Sequence, residues 1–307
     1  MFVNGIVDIN KYKKHDKIGE SGFGEIFTVS KQGSSDLFSC QISRQVVIQK
    51  SQDEMRAIIN EVKGISQLYH PNILRFIGYS PFDFDALTKP AIISELIKNC
   101  TLRHILELER KSQEILEWDA TKKLIAIYGI ASAMQYLHSK DIIHHDLNPD
   151  NIMIDENNNL VLIDFDRMIK EDYIYEDEEE EQTAEFPSPF ASPEINSKEI
   201  TSKSDIYSLG KMIEYIMNQN KSIITNTEKT QIIQLYTKCI EDEFELRPDI
   251  SEILYDFTFY IIKNNIINNI KSIHYYSLAA NHNDANVQYN LALIYLEGKY
   301  ISRDINK

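Results

Sequence analysis

The sequence predicts an α+β protein of two lobes: a small antiparallel sheet with one helix, then a larger, mainly helical part, plus a short helical segment at the C-terminal end. Three observations predict it. Up to about Ser94 the apolar residues alternate mostly as in strands. Beyond Cys100 they recur at helical spacing. The 307 residues suffice for one two-lobed domain with a small appendage.

Taken in order, Lys13–Ile18 and Gly24–Ser30 flank a glycine cluster, and Leu37–Ile42 follows the turn Gln32-Gly33-Ser34-Ser35. Glu54–Leu68 places Ile58, Ile59, Val62, Ile65 and Leu68 on one helical face. The strand-like runs Leu74–Tyr79 and Ala91–Leu96 complete the sheet. Helical periodicity then runs through Thr101–Lys111, Trp118–Ser139, Ser202–Met217, Thr230–Ile240 and Ile250–Asn264. The acidic run Glu176–Glu181 repels itself and reads as a solvated loop.

Bulk composition narrows the function classes. The chain is 43% apolar and 26% charged, the balance of a globular protein. Its net charge of −15, from 47 acidic against 32 basic residues, argues against nucleic-acid or anionic-membrane binding, because phosphate surfaces demand clustered Lys and Arg. Cys40, Cys100 and Cys239 lie far apart without paired metal-ligand spacing, which points to a reducing compartment. The N-terminal MFVNGIVDINKYK lacks the apolar core of a signal peptide, and Phe257–Ile262 is too short to span a bilayer. The expected location is cytoplasmic.

Three stretches carry chemistry: IGESGFGEIF (Ile18–Phe27), IIHHDLNPDN (Ile142–Asn151) and LIDFD (Leu162–Asp166). In the first, Gly19, Ser21 and Gly24 occupy the three glycine positions of G-x-G-x-x-G between two strands, where absent Cβ atoms let backbone amides approach phosphates. Ser21 replaces the second glycine, and Gly22 beside it restores some freedom. In the second, Asp146 and Asn151 stand where H-R-D-L-K-x-x-N has its aspartate and asparagine. In the third, eighteen residues after Asp146, Asp164-Phe165-Asp166 replaces D-F-G. A non-glycine at positive φ costs about 1–2 kcal/mol, which aspartate tolerates better than most.

Together, in this order, these stretches resemble the glycine-rich, catalytic and metal-binding loops of eukaryotic protein kinases, within the tyrosine-kinase-like serine/threonine group. The resemblance implies a bilobal protein-kinase-like domain over about 12–262, with lobes at about 12–95 and 98–262. It implies ATP and magnesium or manganese as cofactors and a protein partner or substrate. Asp146, Asn151 and Asp164 are the implied catalytic residues, with Asn151 and Asp164 on the metal. Nucleotide binding falls to Ile18, Gly19, Ser21, Gly22, Gly24 and Ile26 of the loop and to Ser39 and Gln41 of the third strand. It also falls to Glu61 of the helix, to Ser94, Glu95 and Ile97 of a hinge, and to Met153.

Two cations of that family are missing. Gln41, seventeen residues beyond Gly24, stands where V-A-I-K has its lysine, and the resemblance implies Glu61 as the carboxylate that pairs with that lysine; Gln41 can hydrogen-bond such a carboxylate but supplies no charge. Asn148 replaces the lysine that steadies the transferring phosphate, and His145 the arginine that grips a phosphorylated loop. Removing one positioned electrostatic group typically costs about 10²–10³ in rate. The resemblance therefore leaves two activities open: an impaired pseudokinase acting through partners, or an active serine/threonine kinase. Glu194 and Arg247 match a structural ion pair, and Asp205 an aspartate that anchors the catalytic loop. Residues 270–307, with ANVQYNLALIY, resemble one Sel-type (tetratricopeptide-related) repeat, a possible protein-binding surface.

Overall fold

Five strands form from the alternating segments: β1 (Tyr12–Glu20), β2 (Gly24–Lys31), β3 (Leu37–Ser43), β4 (Phe76–Ser80) and β5 (Ala91–Glu95). They make one antiparallel sheet in the order β1-β2-β3-β5-β4. The computed structural model describes residues 5–21, 24–43, 62, 64–85, 87, 89–111, 120–156, 159–165, 167–170, 188–196, 200–218 and 226–263. The chain divides into two compact units: 1–69, 73–99 and 163–166, and 70–72, 100–162 and 167–307.

The pleat sorts the sheet unit's side chains. Phe27, Cys40 and Ile93 stand opposite one another, and Val29, Cys40, Ala91 and Ile93 join Ile9 and Tyr12 in a buried core on that face. The opposite face carries the rows Ile26–Gln41–Ile92 and Thr28–Ser39–Ser94. A one-residue slip in register would exchange these faces. The β4 edge is covered by the N-terminal segment, where Val7 N donates to Tyr79 O (2.8 Å) and Tyr79 N to Gly5 O (2.8 Å).

In the second unit, α1 (Leu102–Arg110) precedes α2 (Ala120–His138). The latter buries Leu124, Ile127, Ile130, Ala131, Met134 and Leu137 along one face, and Ala126, Tyr128, Ser132 and Ala133 beyond it, as a central helix does. It packs on α3 (Ser202–Asn218) and α5 (Ile250–Lys263), while α4 (Asn226–Cys239) packs on both α3 and α5. Short ribbons that the pattern did not reveal lie between: Ile142–Ile143 with Ile169–Lys170, and Ile152–Ile154 with Leu160–Leu162.

The helix expected over Glu54–Leu68 falls mostly outside the described residues, although Val62, Gly64 and Ile65 are helical. Gly22, Glu61, Asp166, the acidic run Glu176–Glu181 and the repeat-like 270–307 also lie outside them.

Candidate functional site

The sheet unit assembles the glycine loop and the third strand. Gly24 is demanded by packing: a Cβ there would lie 1.8 Å from the Ile42 carbonyl oxygen across the β2–β3 pair. At Gly19 a Cβ would meet nothing nearer than Ile26 Cδ1 at 3.9 Å, so the chain's own packing does not require that glycine. Ser21 closes the turn, its N–H donating to Gly24 O (2.8 Å) and its Oγ accepting from Gly24 N (3.2 Å).

Gln41 does not stay idle in the lysine's place. Its Nε2 donates to Ser21 Oγ at 2.6 Å, so two replaced positions meet. Nearby, Ser39 Oγ donates to Glu95 O (2.9 Å) and lies 3.3 Å from Ser94 O. The Glu95 carboxylate accepts from Arg75 N, the residue just before β4, at 2.8 Å. Ser94 is buried, and Ile18 is exposed. Asp164 belongs to this unit and adopts φ 62°, a left-handed backbone that side chains rarely hold. Such strain concentrates where structure serves chemistry.

The helical unit builds the catalytic stretch. Its backbone hangs from Asp205 on α3, whose carboxylate accepts from His144 N (2.9 Å) and His145 N (3.0 Å), with His138 Nε2 at 2.9 Å. Burial pushes the Asp205 carboxyl up, but these donors outweigh it and hold it below its ordinary value. The anchor fixes His145 at φ 65°. Burial lowers the His145 imidazole's pKa below its ordinary value, Arg167 adds to this, and Asp205 and Asp146 oppose it. His145 Nε2 is buried without a hydrogen-bond partner among the described residues.

Asp146 is held from both sides. Asn148 Nδ2 donates to its Oδ1 (3.0 Å) and Asn151 Nδ2 to its Oδ2 (2.9 Å). Asn148 Oδ1 in turn accepts from Asp150 N (2.9 Å) and Asn151 N (3.3 Å), capping the 3₁₀ turn Pro149–Asn151. Met153 follows on the Ile152–Ile154 strand and bridges to Thr101. A clamp the sequence did not disclose steadies this turn: Arg103 Nε reaches Asp150 Oδ1 (2.8 Å) and Oδ2 (2.6 Å), its guanidinium 5.9 Å from the rings of Phe190 and Tyr215. Arg103 stands on α1, far in sequence from Asp150, so no local pattern pairs them.

Arg247 and Glu194 form a bidentate buried pair, Nη1–Oε1 2.6 Å and Nη2–Oε2 2.9 Å. Burial raises the Glu194 carboxyl, yet the Arg247 guanidinium and Ser204 hydroxyl bring it below its ordinary value. Burial pushes the Cys40 and Cys239 thiols up to about 12, which leaves them unreactive.

The donor chemistry suits a hard divalent ion. In the helical unit Asn151 donates Nδ2 to Asp146 and keeps an amide oxygen of the hard type; in the sheet unit Asp164 carries a carboxylate. Magnesium takes one or two such oxygens and completes its shell from water and phosphate. No cluster of three His, Cys, Asp or Glu able to hold a metal by itself occurs among the described residues. For an anion the fit is poorer in each unit taken by itself: Gln41 in the sheet unit and Asn148 in the helical unit bring no charge.

The protein kinase domain family matches residues 12–270, and the chain belongs to it. It is 31% identical over 228 residues to L-type lectin-domain containing receptor kinase IX.2 of Arabidopsis thaliana, across 72% of this chain and 31% of that protein. It is 30% identical to serine/threonine-protein kinase polo of Drosophila melanogaster, across 67% and 34%. Aurora kinase of Saccharomyces cerevisiae is 27% identical, across 66% and 52%. The chain thus spans only about a third to a half of the length of these relatives. Among the described residues no helix is long and apolar enough to cross a membrane.

Proposed function

We propose that this protein kinase domain binds ATP with magnesium or manganese but transfers phosphate poorly, and that it acts as a pseudokinase in signalling or scaffolding. One observation carries the reading. At the two positions where the family has lysines, Gln41 and Asn148 are neutral, and each side chain is bonded to the chain itself, to Ser21 and Asp146. In a water-poor site, missing positive charge bears directly on the transition state.

In this reading Ser94, Glu95, Ile97 and Met153 meet the base, the loop around Gly19 the phosphates, and Asn151 and Asp164 the ion. The protein is cytoplasmic and meets protein partners through the domain at 12–262 and the repeat-like 270–307. The alternative, an active serine/threonine kinase, is favoured by the retained Asp146, held by two amides on a loop anchored to Asp205. Thermal-shift titration with ATP and Mg²⁺ or Mn²⁺ tests the shared premise. At a ligand concentration a hundredfold above Kd the stabilisation is about 2.7 kcal/mol. No shift at millimolar ATP eliminates both readings of the site. Brisk, Asp146-dependent transfer of radiolabelled phosphate to protein decides for the active kinase.

A further inference from the structure

Ser21 and Gln41 mark the two departures from the family's pattern on the phosphate side of the sheet unit, and they are bonded to each other. Three donors turn inward there. Gln41 Nε2 is committed to Ser21 Oγ at 2.6 Å, Gly24 N to the same oxygen at 3.2 Å, and Ser21 N to Gly24 O at 2.8 Å. Ser21 Oγ also approaches Gly24 O at 3.4 Å. Backbone amides of a glycine loop, with a side-chain donor beside them, are the groups a phosphate tail needs. Here they satisfy one another. A serine hydroxyl accepting two bonds has no lone pair left for a third donor.

We propose that Ser21 and Gln41 form a latch that discriminates against the phosphate tail of a nucleotide, so that the sheet unit takes the nucleoside part readily and a triphosphate only by breaking the latch. The proposal rests on the nucleotide reading above and says which part of the ligand the site resists. The amide and hydroxyl replace a cation that would attract the tail, and their mutual bond withdraws neutral donors as well. Breaking one neutral hydrogen bond weakens binding by about five- to tenfold. A nucleoside does not incur this cost.

Calorimetric titration of the full chain with adenosine, and separately with ATP and Mg²⁺, tests the latch. Wild type is expected to bind adenosine at least as tightly as ATP. Ser21→Ala is expected to raise ATP affinity by about five- to tenfold and to leave adenosine within about twofold. Gln41→Ala is expected to act in the same direction. Ser21→Thr, which keeps the hydroxyl, should hold the wild-type ratio; a merely structural role for the hydroxyl leaves the ratio alike in all of them. Binding of both ligands with an unaltered ratio in Ser21→Ala and Gln41→Ala overturns the latch and leaves the nucleotide reading standing. Wild type preferring ATP by tenfold overturns it too. Binding of neither ligand by any of these proteins overturns the nucleotide reading, and the latch with it.

Discussion

Asn148 donates its side-chain amide to the Asp146 carboxylate at 3.0 Å, while its own carbonyl oxygen caps the turn that carries Asn151. Asn148 therefore acts as a positioning residue for the aspartate and orders it.

Restoring charge separates these effects. Gln41→Lys together with Asn148→Lys is expected to raise radiolabelled autophosphorylation by about 10² or more, and Gln41→Lys alone by less. An unchanged rate in the double variant shows that missing cations are not what limits transfer.

Halving the Arg247–Glu194 pair leaves one charge buried. Arg247 is 1% exposed, and Arg247→Ala is expected to destabilise by about 3–5 kcal/mol in urea unfolding. A loss below about 1 kcal/mol contradicts this.

Asp205→Ala removes the acceptor of two loop amides. Hydrogen exchange at His144 and His145 is expected to accelerate by at least about tenfold, one hydrogen bond's net contribution, with stability falling by about 3 kcal/mol. Unaltered exchange at both amides means that something other than Asp205 holds the loop.

The half-buried His145, its Nε2 shut off from solvent, predicts a pH response. Its folded pKa is lowered, so the unfolded chain binds the proton first as pH falls through about 6.5. Stability is complete above that pH and is lost below it, down to the folded pKa, at up to about 1.4 kcal/mol per pH unit. His145→Asn, which tolerates the left-handed backbone, is expected to flatten the profile between pH 7 and 5. Glu194 and Asp205, with lowered carboxyl pKa values, contribute their own losses at more acid pH, below about 4.5. A profile equally steep in the variant assigns the response elsewhere.

Much of the fold was legible because burial imposes a period. Val29 and Cys40 alternate with polar neighbours, and α2 is buried well beyond a single face. The Asp205 anchor and the Arg247–Glu194 pair could be read from motif spacing, since a buried charge must have a fixed partner. The Ser21–Gln41 bond could not be read, nor the Arg103–Asp150 clamp. Polar groups 20 and 47 residues apart meet only through strand register or helix placement, which no local pattern encodes. The covering of the β4 edge by Gly5 and Val7 escaped for the same reason: a single backbone bridge leaves no side-chain signature.

Two glycines of one loop are glycines for different reasons, and an alanine scan would read them differently. Replacement at Gly24 wedges strands apart and reports on folding whatever molecule is offered. Replacement at Gly19 meets no steric objection from the described protein, so a binding defect there without a folding defect reports on an outside visitor. The second position is the gauge of occupancy; the first is the control.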